Sequence, residues 1–405
     1  MNIITRESYL KQLEAFKDKQ IIKVISGIRR CGKSFLMEQF VQKLKNEGIQ
    51  ENQIIFIRLD DMDFENLCDY KNLYSYIKKR LTEKRNYIFI DEVQLCENFQ
   101  KPIESFFANP NNDIYLTGSN ADVLSGELAT LLSGRYVSIE MQPLTFKEYI
   151  ELSKKYESES SSIEESFVDY EKFGGFPFTL QLEKNEENIN QYLNGIYNTI
   201  IVKDIAKRHH INDVSILESV IKFIFSNTAN ILSSKKIADT LTSGGRKVSQ
   251  PTVENYLQFL AECFLIYKVE RFDVRGKEIL KSLAKYYIAD SGLRNMLLGY
   301  RNIDTGHLLE NLVFLELKKR NFKIFVGKNL DSEIDFVCQK QNQIFYIQVS
   351  ETIKEKQTFE REINVFKNIN DNYPRILITS DRTPNSDYNG IKILNSYDFF
   401  MGKEL

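Results

Sequence analysis

Gly-Ile-Arg-Arg-Cys-Gly-Lys-Ser, residues 27–34, follows the apolar run Ile21 to Ile25 and precedes a stretch where Phe35, Leu36, Phe40 and Leu44 recur at helical spacing. A glycine, four variable residues, a second glycine, a lysine and a serine, set between a strand and a helix, have the spacing of a phosphate-binding loop. Gly27 and Gly32 let successive backbone N–H groups turn inward around a phosphate, and a helix starting near Lys33 brings its positive dipole end there. The expected nucleotide contacts are Gly27, Ile28, Arg29, Arg30, Cys31, Gly32, Lys33, Ser34 and Phe35. Lys33 is placed for the β and γ phosphates of a nucleoside triphosphate, and Ser34 for a Mg²⁺ that bridges them. The four apolar residues that follow are expected to face a sheet.

Working outward, short apolar runs alternate with helical stretches: Ile21 to Ile25, Ile54 to Leu59, Tyr87 to Ile90, Ile114 to Leu116 and Tyr136 to Ile139. That alternation predicts an α/β domain with a parallel sheet covered by helices. The third run ends in Asp91 and Glu92, the form of the second nucleotide signature. Ligands of such sheets gather at the carboxyl ends of the strands, so Asp91 is expected to orient Mg²⁺ and Glu92 to activate water as general base.

Composition sets the outer limits. A chain of 405 residues, 42% of them hydrophobic, exceeds one compact core and calls for several domains. With 54 basic and 56 acidic residues the molecule as a whole has no general attraction to nucleic acid, so any such contact must be local. The first nine residues have no apolar signal core, and no apolar stretch approaches the ~20 residues a membrane span needs. A cytoplasmic protein is expected. Five scattered cysteines with no CxxC pair argue against a disulfide framework or zinc site, and three histidines, two of them adjacent at His209 and His210, do not make a metal centre. Cys31 lies beside Lys33 and a helix N-terminus, an environment that lowers a thiol pKa; the plainer reading is a small residue at a permissive loop position.

Four regions are expected: an ATPase domain over 1–152, a linker and helical connector over 153–212, a helix-and-hairpin domain over 213–298, and a second α/β domain over 299–405. The polar stretch Ser153 to Ser166 reads as a linker, and Gly174-Gly175-Phe176-Pro177 as a turn. Three helices, Ser215–Phe225, Ser234–Leu241 and Ser249–Phe264, with Gly244-Gly245 before the third and β-rich pieces after it, form the pattern of a winged helix-turn-helix. Val253, Tyr256, Leu257 and Leu260 are expected on the buried side of the third helix, and Gln250, Glu254, Asn255 and Gln258 outward. Residues 231–285 hold ten basic and six acidic residues, a local excess of four positive charges. That excess suits DNA, yet the outward side of the third helix has no arginine, and both DNA and a protein partner stay open.

The set GIRRCGKS, FIDEVQ, LTGSN, LLSGRYVSIEMQPLTFKEY, GGFPF and VKDIAKR is similar to a large family of uncharacterised bacterial and archaeal AAA-type ATPases. Members of that family append a C-terminal domain built from a winged helix and a restriction-endonuclease-like fold. The resemblance spans nearly the whole chain and implies ATP binding and hydrolysis with Mg²⁺. It also implies a γ-phosphate sensor after the Ile114 strand, for which Ser119, Asn120 and Thr117 are the candidates, with Asn120 counted among the catalytic residues beside Glu92 and Lys33. Arg135 offers a guanidinium for transition-state charge, acting within the chain or across a subunit boundary of an oligomer, or it serves only as a structural ion partner.

The last hundred residues run helix, three strands, helix and strand, the order of a PD-(D/E)XK-like core. Such a site needs an aspartate on one strand and an acid and a lysine on the next. Glu310 and Asp335 match the helical acid and the aspartate, but Gln348-Val349-Ser350 stands where acid and lysine should alternate. Glu310, Asp335 and Gln348 are therefore read as the remnant of a nuclease site, with Glu333 on the same strand face as Asp335. The expected activity is Mg²⁺-dependent ATP hydrolysis coupled to a conformational change of the winged helix; the alternatives are a nucleotide-gated switch with negligible turnover and an ATP-coupled nuclease.

Overall fold

The computed structural model describes residues 4–120, 134–156, 161–182, 184–211, 213–300, 305–382 and 387–405. They fall into two compact units: residues 1–143 with 262–264, and residues 144–261 with 265–405.

In the first unit, β1 (Ile22–Ser26), β2 (Ile54–Arg58), β3 (Asn86–Asp91), β4 (Asn112–Gly118) and β5 (Tyr136–Glu140) form a five-stranded sheet in the order β2-β3-β4-β1-β5. Every pairing is parallel. Three strands, β1, β3 and β4, are buried throughout, which is why they read as continuous apolar runs rather than alternating ones. Helices α1 (Glu7–Ala15), α2 (Lys33–Asn46), α3 (Tyr70–Lys78) and α4 (Gln100–Phe107) accompany the sheet. In α2, Leu36, Met37, Phe40 and Leu44 are buried, but Phe35 is 38% exposed. One residue is about 100° of helix rotation, so Phe35 falls off the stripe its neighbours form, and the expectation that it faces the sheet is corrected.

The second unit opens with the helix Phe146–Ser153, and a helix at Ile163–Phe173 starts inside the stretch read as linker. Ser162 caps it, receiving the Glu165 N–H while the Glu165 carboxylate takes the Ser162 N–H. Residues 157–160 of the expected linker lie outside the described residues. The two-glycine turn that follows is shaped by Asp290, more than a hundred residues away. The Asp290 carboxylate accepts the Gly175 N–H at 2.7 Å and the Leu293 N–H at 3.1 Å, capping the helix Ser291–Leu298. A Cβ on Gly174 would meet Asp290 Oδ1 at 2.2 Å, one on Gly175 the Leu144 carbonyl at 2.4 Å, and one on Gly292 the Phe173 carbonyl at 2.3 Å. The glycines are there because three backbones touch.

Burial pushes the Asp290 carboxyl up from 3.8 to about 6, and the Glu171 carboxyl from 4.5 to about 7. A carboxyl with a higher pKa folded than unfolded keeps its proton in the folded chain while the unfolded chain releases it. Stability then falls as pH rises through that window, on the order of 3 kcal/mol between pH 4 and 6 for Asp290. Asp290→Asn should flatten this part of the profile in urea unfolding followed by circular dichroism at pH 4 to 7; an unchanged slope would place the titration elsewhere.

Three helices, Val214–Ser226, Ser234–Ser243 and Gln250–Glu262, and the short β6 (Ile231–Leu232) lead into the antiparallel hairpin β7 (Ile266–Asp273) and β8 (Glu278–Ile288). Then come the helix Thr305–Lys319, β9 (Lys323–Asn329), β10 (Ser332–Lys340), β11 (Gln343–Ser350), the helix Lys356–Asn364, β12 (Arg375–Thr379), β13 (Asp387–Tyr388) and β14 (Ile391–Asn395). Strand β7 pairs in parallel with β9 through Arg271↔Val326, Phe272↔Gly327 and Asp273↔Lys328. Hairpin and C-terminal strands therefore share one nine-stranded sheet, β13-β14-β12-β11-β10-β9-β7-β8-β6. Among the described residues no helix is long and apolar enough to cross a membrane.

Candidate nucleotide site and a buried lysine centre

The phosphate loop leaves the carboxyl end of β1, an interior strand between β4 and β5, and runs into α2. Gly27 has φ +142° and a Cβ there would lie 2.0 Å from the Met141 carbonyl oxygen, so no other residue fits. Gly32 (φ +106°) and Arg30 (φ 68°) also take left-handed backbone, which curls the loop. The Lys33 ammonium is buried and donates to the Gly27 carbonyl at 3.0 Å and the Ile28 carbonyl at 3.3 Å. The Ile28 and Cys31 side chains point inward and are buried, while Arg30 is exposed. Burial pushes the Cys31 thiol up despite the nearby Lys33 and Arg6, which corrects the sequence reading of a lowered pKa. Cys31 is a packing residue of the loop.

Asp91 ends the buried β3, fully shielded from solvent. Its Oδ1 accepts the Thr117 hydroxyl, and the same hydroxyl accepts the Glu92 N–H at 2.8 Å. Oδ2 is buried with no hydrogen-bond partner. Burial raises the Asp91 pKa, opposed by the hydroxyls of Ser34 and Thr117. Glu92 sits in left-handed backbone at φ 54°, where the chain turns out of β3. Gln94 donates from Nε2 to the Glu92 carboxylate and, at 3.3 Å, to the Ser119 hydroxyl, while its own Oε1 is buried without a partner. The structure thus sets Thr117 against Asp91 and Ser119 near Glu92 through Gln94. The Asn120 amide instead points to Cys263 Sγ at 4.0 Å.

Arg135 stands elsewhere. Its carbonyl accepts the Ile22 N–H, and β5 runs parallel to β1 with Tyr136 opposite Ile22. Arg135 therefore lies at the amino end of the sheet, opposite the phosphate loop, where its guanidinium is 3.4 Å from Glu104 and over the Phe107 ring. At that end it stands away from its own chain's phosphate loop, and the contacts it makes are those of a structural ion partner. Sequence reading missed Arg6, which is buried and donates to the Cys31 carbonyl at 3.4 Å and the Gln142 carbonyl at 3.0 Å. It ties the phosphate loop to the chain after β5; nothing local in the sequence signals this.

In the second unit Glu310, Asp335 and Gln348 do come together. The Asp335 N–H donates to Gln348 Oε1 at 3.2 Å, and Gln348 Nε2 donates to Glu362 at 2.9 Å. The group at the centre was not foreseen: Lys285 of β8 bonds Glu310 at 2.8 Å, Glu333 at 2.7 Å and Asp335 at 3.3 Å. Burial works against the Lys285 ammonium, yet the three carboxylates together raise its pKa. Burial and the Asp335 charge push the Glu310 carboxyl up to about 7.

Two family models match successive parts of the chain. Residues 19–150 match the model of an AAA domain, and residues 164–304 that of a domain of unknown function (DUF8612). An uncharacterized protein of Haemophilus influenzae is 39% identical over 98% of this chain and 99% of its own length. One of Methanocaldococcus jannaschii is 32% identical over 85% of this chain and 79% of its own. Among solved structures, the Walker-type ATPase of Pyrococcus abyssi is similar with a TM-score of 0.53 and 18% identity, over 73% of this chain and 96% of that one.

Proposed function

The chain belongs to a family of bacterial and archaeal proteins that join an AAA domain to a domain of unknown function, and from that premise we propose that it is a Mg²⁺-dependent ATPase. The observation that carries the reading is the pairing of a curled phosphate loop with the buried Asp91, whose Oδ2 lacks a partner beside Ser34. An orphaned buried carboxylate oxygen costs on the order of 1–3 kcal/mol, and a cation-bound water would satisfy it. The donor set, one hydroxyl and one carboxylate, fits Mg²⁺, which keeps most of its waters. Ser34 and Asp91 would hold it, and it would neutralise charge on the phosphates. Lys33 exchanges its loop carbonyls for phosphate oxygens, Glu92 takes a proton from water, and Thr117 holds Asp91 and the Glu92 backbone in register.

Residues 213–298 we read as a winged helix, and residues 299–405 as a degenerate PD-(D/E)XK-like domain; the nucleotide cycle acts through the winged helix on a partner. Gln250, Glu254, Asn255 and Gln258 are exposed on its third helix, and Glu254 accepts from Ser234 and Gln250. That face has no lysine or arginine, which supports a protein partner over base readout. Steady-state ATP hydrolysis with and without duplex DNA at low salt tests the proposal. Turnover is expected, indifferent to DNA, and Thr117→Val should lower kcat about tenfold or more with ATP affinity nearly kept. Stimulation by DNA would assign the winged helix to nucleic acid, and tight ATP binding with no turnover would make the protein a nucleotide-gated switch.

A further inference from the structure

Lys285 enters its centre from the hairpin strand β8, whereas the carboxylates come from the helix Thr305–Lys319 and from β10. Its side chain is 3% exposed and its ammonium lies within 3.3 Å of Glu310, Glu333 and Asp335. We infer that this is a cation site with a built-in cation: the Lys285 ammonium takes the position a divalent metal ion would hold, and the centre does not hydrolyse phosphodiesters.

The oxygens that would ligate an ion are already engaged by the protein. Asp335 Oδ1 faces Lys285, and Oδ2 accepts the Val349 N–H at 3.0 Å. Glu310 Oε1 accepts both Lys285 and the Tyr287 hydroxyl, the latter at 2.6 Å. Of the neutral oxygens on β11, the Gln348 carbonyl is held by the Asp335 N–H, and the Ser350 hydroxyl donates to the Thr352 carbonyl at 2.9 Å. Mg²⁺ or Mn²⁺ demands six oxygens near 2.1 Å, which an ammonium in the same place prevents. The lysine that a nuclease uses to position water is here spent on neutralising the carboxylates. Its length and flexibility let it reach them from a different strand than the one where the acid-x-lysine pattern fails. All these residues lie in the second unit, so the inference stands apart from the nucleotide chemistry of the first.

The test is Mn²⁺ binding by the full chain without nucleotide, followed by electron paramagnetic resonance. The wild type should show no Mn²⁺ site that Asp335→Asn removes. Lys285→Met, which keeps the aliphatic stem and drops the charge, should gain one Mn²⁺ site at least about tenfold tighter than any in the wild type, lost again in the double variant with Asp335→Asn. A folded Lys285→Met protein that binds no Mn²⁺ would overturn the inference. If that variant does not fold, the wild type decides alone. A Mn²⁺ site, or Mn²⁺-dependent nicking of plasmid DNA, that Asp335→Asn abolishes would overturn the inference; absence of both supports it.

Discussion

Replacing Glu92 by Gln should cut ATP turnover by about 10²–10⁴-fold while leaving ATP affinity within a few-fold of the wild type. The substitution keeps the shape of the side chain and an acceptor for the Gln94 amide, and removes only the capacity to take a proton. The residue's backbone is held by the Thr117 hydroxyl and its side chain by Gln94, so the variant has the contacts to keep the loop in place. Phosphate release and equilibrium ATP binding, measured on the same preparation, decide it. Turnover that survives would remove Glu92 from the chemistry, and affinity lost in step with turnover would make it a loop-building residue.

Gly292→Ala should destabilise the second unit by about 3 kcal/mol or more, since the added methyl is forced against backbone instead of a pliable side chain. Its Cβ would lie 2.3 Å from the Phe173 carbonyl oxygen and 2.9 Å from Asp290 Oδ1. Relief requires moving the end of the helix Ile163–Phe173 or the start of Ser291–Leu298, and either motion breaks the bonds that Asp290 makes to both. Gly195→Ala is the contrast. Gly195 lies inside the helix Glu186–Thr199 with nothing within 4 Å of the added Cβ, so alanine there should stabilise by about 0.5–1 kcal/mol. Urea unfolding read by circular dichroism should separate the two variants in opposite directions; equal effects would show that the glycines at 174, 175 and 292 do not form a tight junction.

The candidate nucleotide site is legible because its parts are contiguous in sequence: a loop after β1, two acids after β3. The sensor was less so, and parallel register supplies what was missing. With Ile90 opposite Leu116, the next step along both strands brings Asp91 beside Thr117, whereas Asn120 is already three residues past it. The place of Arg135 is open in the sequence for a related reason. A residue just before a parallel strand lies at the amino edge of the sheet, and ligands gather at the other. Lys285 was beyond local reading, since it meets Asp335 only because β7 pairs with β9. The glycines of GGFPF were read correctly as a turn, but the carboxylate that dictates them stands at position 290.

The parallel pairing of β7 with β9 bears on how this chain can be divided. A fragment ended near residue 300 would retain β7 and β8 but lose the strand alongside β7, baring an open sheet edge prone to aggregation. It would also strand the Lys285 ammonium without its carboxylates. The hairpin and the last hundred residues should therefore unfold in one cooperative step and exchange their amide hydrogens as a single block, however separate the two stretches look along the sequence.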